Sequence, residues 1–216
     1  MLNGSRMTNR WDTGRIEAFS DGVFAIAITL LVLDLRVPLA SFDDLWSGIA
    51  HQWPSYLAYV TSFITIGGLW MAHHALFRCL QYADAMVMRV NLVLLMAVSF
   101  LPFPTGLMAE AIRDTEAERA AVVFYGLTLL VISVLLRVLW GAIVSHPDLL
   151  NPDVSIQEIR ANRRTSTPNI GFYAAVIVLA LLFPQAAVFG YLAIAIAAVW
   201  RARGEESPRP QPAPHP

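Results

Sequence analysis

RIEAFSDGVFAIAITLLVLDL, running from Arg15 to Leu35, is the stretch on which the reading of this chain turns. An arginine opens it, Phe19, Ser20 and Asp21 follow together, and from Gly22 to Leu33 there is no charge and one polar side chain, Thr29. About 20 such residues in a helix span the hydrocarbon of a bilayer. A carboxylate at the mouth of a membrane helix is costly to bury, so Asp21 has a purpose. Ser20 and Asp21 are good helix caps. However, Ile16, Ala18 and Phe19 precede them, and the helix is expected to begin near Asp12 or Thr13. Both residues then lie more than a turn inside, where Asp21 needs a partner from another helix.

The composition agrees with a membrane protein. Of 216 residues 56% are hydrophobic and 14% charged, with mean hydropathy +0.55; soluble domains carry about 25% charged residues. A net charge of -1 suggests no nucleic-acid partner, and Cys79, the single cysteine, excludes a disulfide framework or a cysteine metal site. Six apolar segments of spanning length are expected: about Gly14–Leu35, Pro54–Phe77, Ala85–Met108, Ala120–Val144, Ile170–Phe183 and Ala186–Trp200. The predicted class is therefore an all-α membrane protein with six transmembrane helices and no soluble domain. Residues 1–12 form a polar N-terminal segment, 13–202 the six-helix domain with a loop at 145–168, and 203–216 a proline-rich tail expected to be disordered. The N-terminal segment lacks a signal-peptide pattern, so the first helix is expected to act as an uncleaved targeting signal. With six spans, only Arg36, Arg113 and Arg119 of the 15 arginines fall on one side. The positive-inside rule then puts both termini in the cytoplasm; the cell inner membrane is the expected localisation. Arg137, inside the fourth segment, is expected to snorkel to the interface beside Trp140. A short helix is expected around Val154–Arg164, and no strand pattern is visible.

Ile26, Leu30 and Leu33 recur at i, i+4 and i+7 on one helical face. Such a face either packs on neighbouring helices or lines a pore, where apolar rings can gate by dewetting. Thr29 is the one hydroxyl in the run able to touch an ion or a neighbour. On the second helix Trp70, His73 and His74 lie at a depth comparable with Asp21, and antiparallel packing brings Asp21 near one of the histidines. A hydrogen-bond network of Asp21, Ser20, a histidine and Trp70 is expected, with Asn91 of the third helix joining it. Adjacent histidines point about 100° apart, which disfavours a shared metal ion or a metalloenzyme site. Gly67 and Gly68 suggest a close helix approach, and Pro102 and Pro104 a bend near the outer side. Asp34 closes the first helix; with Asp43 and Asp44 it either sits in interfacial water or forms an acidic outer vestibule that concentrates cations. TVGYG, Walker A, HExxH and GxSxG motifs are absent, and no enzyme is expected. A proton-coupled secondary transporter, with Asp21 and a histidine as relay, is the alternative to a channel.

RxxxFSD, made by Arg15, Phe19, Ser20 and Asp21, resembles the bacterial members of the lysosomal potassium channel family, transmembrane protein 175. The run FAIAITLLVL, the Trp70/His73/His74 cluster and the stretch from Asn91 to LPFPT (Leu101–Thr105) resemble it too. The resemblance implies a homotetramer in the lipid bilayer, with the first helix of each copy lining a central pore that has no filter loop. It implies an apolar constriction from Ile26, Leu30 and Leu33 and a selectivity role for Thr29. It implies a structural lock from Arg15, Phe19, Ser20 and Asp21 to the second and third helices. The function implied is a passive channel permeable to K+ over Na+, with K+ as permeant ion and no cofactor.

Overall fold

A computed structural model of the chain describes residues 11–35, 44–111, 115–152, 154, 159 and 170–203. Asp12 opens the first helix, α1 (Thr13–Leu30), by accepting from the Gly14 N–H at 3.2 Å. The helix tightens into a 3-10 turn over Leu31–Asp34. A short α2 (Leu45–Ala50), capped by Asp44, precedes α3 (Trp53–Phe77), which carries Pro54 in its first turn where no N–H is needed. Asp84 caps α4 (Ala85–Phe100) through the Val87 N–H at 2.8 Å. The chain continues through α5 (Pro102–Ala111), α6 (Thr115–Val144), α7 (Ile170–Leu182) and α8 (Pro184–Arg203).

Among the described residues, five stretches are long and apolar enough to cross a bilayer: Thr13–Asp34, Trp53–Phe77, Ala85–Ala111, Ala117–Val144 and Pro184–Ala202. Ile170–Leu182 is apolar but shorter. The third span is two helices meeting at Leu101, where Pro102 is expected to bend or end the helix. Pro102 has no N–H for the Val98 carbonyl, which is bonded instead by the Leu101 N–H at 3.1 Å. The helix expected around Val154–Arg164 lies outside the described residues, apart from Val154 and Ile159. So do residues 1–10 and the tail after Arg203.

Two strands of two residues each, β1 (Trp11–Asp12) and β2 (Tyr82–Ala83), pair antiparallel, contrary to the expectation of none. Two residues are too few to show alternation; their pairing is a consequence of the α3–α4 turn lying beside the start of α1. The same turn is bonded to the segment after α6, by Gln81 N–H to the Leu149 carbonyl and Asn151 N–H to the Cys79 carbonyl, both at 2.9 Å. Arg137 is exposed and Trp140 is fully buried within the protein.

Inside a bilayer helices gain little from burying apolar surface, so close contact and polar bonds hold them. α3 packs on α1, α5 and α8, while α6 packs on α4, α5, α7 and α8. Gly68 lies under α8, where an added Cβ would meet Val199 at 3.5 Å, whereas Gly67 has open space. Gly126 is tighter. A Cβ there would run into the hydroxyl of the buried Tyr191 and approach Ile177 Cγ1 to 2.8 Å. Gly126→Ala is therefore expected to destabilise the protein by about 1–3 kcal/mol. Gly141→Ala, with nothing within 4 Å, is expected to be neutral or to gain up to about 1 kcal/mol from helix propensity. Thermal unfolding of the detergent-solubilised protein distinguishes the two.

Candidate functional site

α1 has two unlike faces. One, made by Ile16, Ser20, Phe24 and Ala27 and continued by Leu31, is buried against α3 and α4. On this face a chain of bonds crosses three helices. Ser20 Oγ donates to the Ile16 carbonyl at 2.8 Å, Asn91 Nδ2 donates to Ser20 Oγ at 3.1 Å, and Asn91 Oδ1 stands 2.8 Å from His73 Nε2. The carbonyl can only accept, so the serine proton goes to it and the serine oxygen accepts from the amide. That orients Asn91, whose oxygen then needs a donor, and so His73 carries its proton on Nε2. Ser20, His73 and Asn91 are fully buried. The imidazole stacks on Phe77 at 4.4 Å and tilts against Phe24 at 5.4 Å, and its Nδ1 has no hydrogen-bond partner among the described residues.

A second set of contacts flanks this chain. Trp70 Nε1 donates to Asp21 Oδ1 at 2.8 Å. His74 Nδ1 lies 2.8 Å from Glu17 Oε1, an ion pair when the ring is protonated; the contact is one of proximity, without hydrogen-bond alignment. The Trp70 and His74 rings stack at 5.9 Å. Glu17 and Asp21 are one helical turn apart on α1, as Trp70 and His74 are on α3, and the antiparallel register matches the two pairs. Asp21 thus meets an indole rather than the expected histidine. Glu17 was not singled out by sequence, although its place four residues before Asp21 marks it. Two expected members stand apart from these contacts. Arg15 is exposed and makes no hydrogen bond or ion pair among the described residues. Phe19 is 56% exposed.

Phe19 belongs to the other face of α1. With Ile26 and Leu33, 60% and 57% exposed, and Leu30, also exposed, it makes an apolar stripe on the surface of the chain. Thr29 is exposed beside the stripe and donates to the Ile26 carbonyl at 2.9 Å. With its proton committed to the backbone, the hydroxyl presents lone pairs outward, which suits a cation and not an anion. Asp34 is exposed but sits on the Leu31 side of the 3-10 turn, because residues three apart eclipse there. Its carboxylate lies over Gly106 of α5. Asp44 is taken up as a cap, and Asp43 lies outside the described residues.

A further polar chain, between α3, α5 and α6, was missed by sequence. Thr105 Oγ1 donates to the Leu101 carbonyl at 2.9 Å and so accepts from Ser62 Oγ at 2.8 Å, which in turn accepts from the Tyr125 hydroxyl at 3.0 Å. The signal available was Ser62 in the middle of an apolar helix, where a polar atom needs a partner. Among the described residues no group of three or more His, Cys, Asp or Glu side chains is placed to hold a metal ion, and His73 and His74 face different partners.

A predominantly helical chain with several stretches apolar enough to cross a bilayer, its first helix clamped by polar bonds on one face and exposed on the other, has the architecture of a membrane transport protein. The family model described as the endosomal/lysosomal potassium channel TMEM175 matches residues 15–102, an interval that contains every member of the clamp. A potassium channel of Streptomyces collinus is 41% identical over 163 residues, 74% of this chain and 79% of the relative. The crystal structure of a lysosomal potassium-selective channel TMEM175 homolog from Chamaesiphon minutus superposes with a TM-score of 0.78 at 36% identity, covering 88% of this chain and 97% of that one. A zebrafish (Danio rerio) relative, an endosomal/lysosomal proton channel TMEM175, is 37% identical over 150 residues but is covered over only 29% of its length. The chain belongs to the TMEM175 family of potassium channels. That family is one of ion channels, not an enzyme class.

Proposed function

We propose that four copies of the chain surround a central pore lined by α1 and pass K+ in preference to Na+ down its gradient, with both termini in the cytoplasm. The observation that carries this reading is the bare stripe of Phe19, Ile26, Leu30 and Leu33 opposite the clamped face. The clamp orients α1, and the stripe is what remains for the axis and for neighbouring copies. Beside the stripe an apolar groove lined by Val23, Leu92, Leu95 and Met96 offers surface for an adjacent copy to cover. Four stripes form apolar rings at Ile26, Leu30 and Leu33, where a cation sheds part of its water. K+ holds its water less tightly than Na+, so the ring favours K+ without a filter loop. Thr29 oxygens beside the constriction offset part of the dehydration, and exposed Asp34 carboxylates raise the cation concentration at the outer mouth.

The alternative is a proton-coupled carrier using Asp21 and a histidine. The zebrafish relative's description as a proton channel keeps protons in view. Against a relay, Asp21 is bonded to the indole of Trp70, a group that does not exchange protons near neutral pH. Flux from liposomes holding the purified protein, under K+, Na+ and Cs+ gradients, tests the reading. Non-saturating K+ flux exceeding Na+ flux is expected without any proton gradient. Strict dependence on such a gradient would overturn the channel mechanism.

A further inference from the structure

We infer that Gly106, and the hydroxyl chain of Tyr125, Ser62 and Thr105 behind it, position the Asp34 carboxylate at the outer mouth; the inference rests on the pore reading above. Pro102 interrupts the backbone ladder at Leu101, so α5 is not a hydrogen-bonded continuation of α4. The polar tie from α5 to its neighbours is Thr105, hydrogen-bonded to Ser62 on α3 and through it to Tyr125 on α6, beside the packing of α5 on both helices. The next residue is Gly106. A Cβ there would stand 3.0 Å from Asp34 Oδ2, 3.1 Å from Cγ and 3.2 Å from Oδ1, so the carboxylate rests on the glycine itself. No glycine among the described residues has positive φ, so what glycine provides at 106 is room for the carboxylate and not a backbone conformation. Asp34 ends the 3-10 turn that continues α1, and this turn packs on both α3 and α5. Rolling α5 therefore moves the surface on which the outermost charge of the first helix is seated. None of Gly106, Thr105, Ser62 or Tyr125 belongs to the apolar stripe.

Single-channel conductance of the reconstituted protein at two salt concentrations tests this. In about 0.01 M KCl, where the Debye length is about 30 Å, a carboxylate near the mouth raises local K+; in about 1 M KCl, at about 3 Å, it does not. Asp34→Asn is expected to lower the low-salt conductance about twofold or more and to leave the high-salt value unchanged. Gly106→Ala is expected to change the low-salt conductance by a similar factor, and that change is expected to vanish in the Asp34→Asn background. Thr105→Val is expected to shift the low-salt value in the same way, and Thr105→Ser, which keeps the hydroxyl, to restore it. If Asp34→Asn has no effect at low salt, the outer-mouth role of Asp34 falls. If Asp34→Asn acts but Gly106→Ala leaves conductance unchanged, or adds to it independently, the positioning role falls. Should Gly106→Ala fail to assemble, the Thr105 pair decides: a Thr105→Val channel with wild-type low-salt conductance overturns the inference.

Discussion

Asn91→Ala is expected to cost about 2–4 kcal/mol and to remove most assembled protein from membranes. The substitution strips the acceptor from His73 Nε2, leaving a fully buried imidazole whose other nitrogen already has no partner. A buried donor so orphaned costs about 1–3 kcal/mol, and the space vacated between α1, α3 and α4 adds a cavity term. Against a total stability of about 5–15 kcal/mol, that is a large fraction. The matched control is Arg15→Gln. Its side chain is exposed and makes no bond among the described residues, so its effect is expected within about 0.5 kcal/mol. Thermal unfolding and size-exclusion profiles of both variants check this. An Arg15→Gln variant as damaged as Asn91→Ala would mean that the guanidinium holds a lipid or a neighbouring copy.

Ile26→Asn is expected to have the largest effect on permeation: conductance rising about tenfold and the preference for K+ over Na+ falling towards parity. A tenfold change corresponds to about 1.4 kcal/mol on the barrier. In the proposed pore, an amide in place of each sec-butyl group supplies water-like oxygens at the ring where cations are expected to dehydrate, which helps Na+ more than K+. Ile26 is 60% exposed and makes no part of the clamp, so the fold is expected to tolerate the change. Bi-ionic reversal potentials read the result. An unchanged permeability ratio would move the constriction away from Ile26.

Much of the fold was legible in the sequence because its causes are local. The apolar runs, the Asp12 and Asp84 caps and the proline break at Leu101 each act within one or two turns, so helix bounds follow from composition and capping. The pairing of α1 with α3 and α4 was also foreseeable, since Ser20, His73 and Asn91 are polar atoms at similar depth in apolar helices. What sequence did not yield was the register. Whether Asp21 meets His73, His74 or Trp70 depends on the rotation of one helix against another, and a helical residue's direction changes by 100° per position. For that reason Glu17 escaped notice, and Phe19 and Arg15, inside the same motif, turn out to face away from the clamp.

The sequence alone determined that this is a helical membrane chain, where its first helix begins and ends, and which family it resembles, because hydropathy, capping and motif spacing are properties of neighbouring residues. Only the tertiary structure decided that Ser20, Asn91 and His73 form one directed chain of protons, that Trp70 takes Asp21, and that Gly106 seats Asp34. Those pairings join residues from 18 to 71 positions apart where the structure gives the bonds. They are selected by helix packing in a medium that offers no water to satisfy a stray polar group.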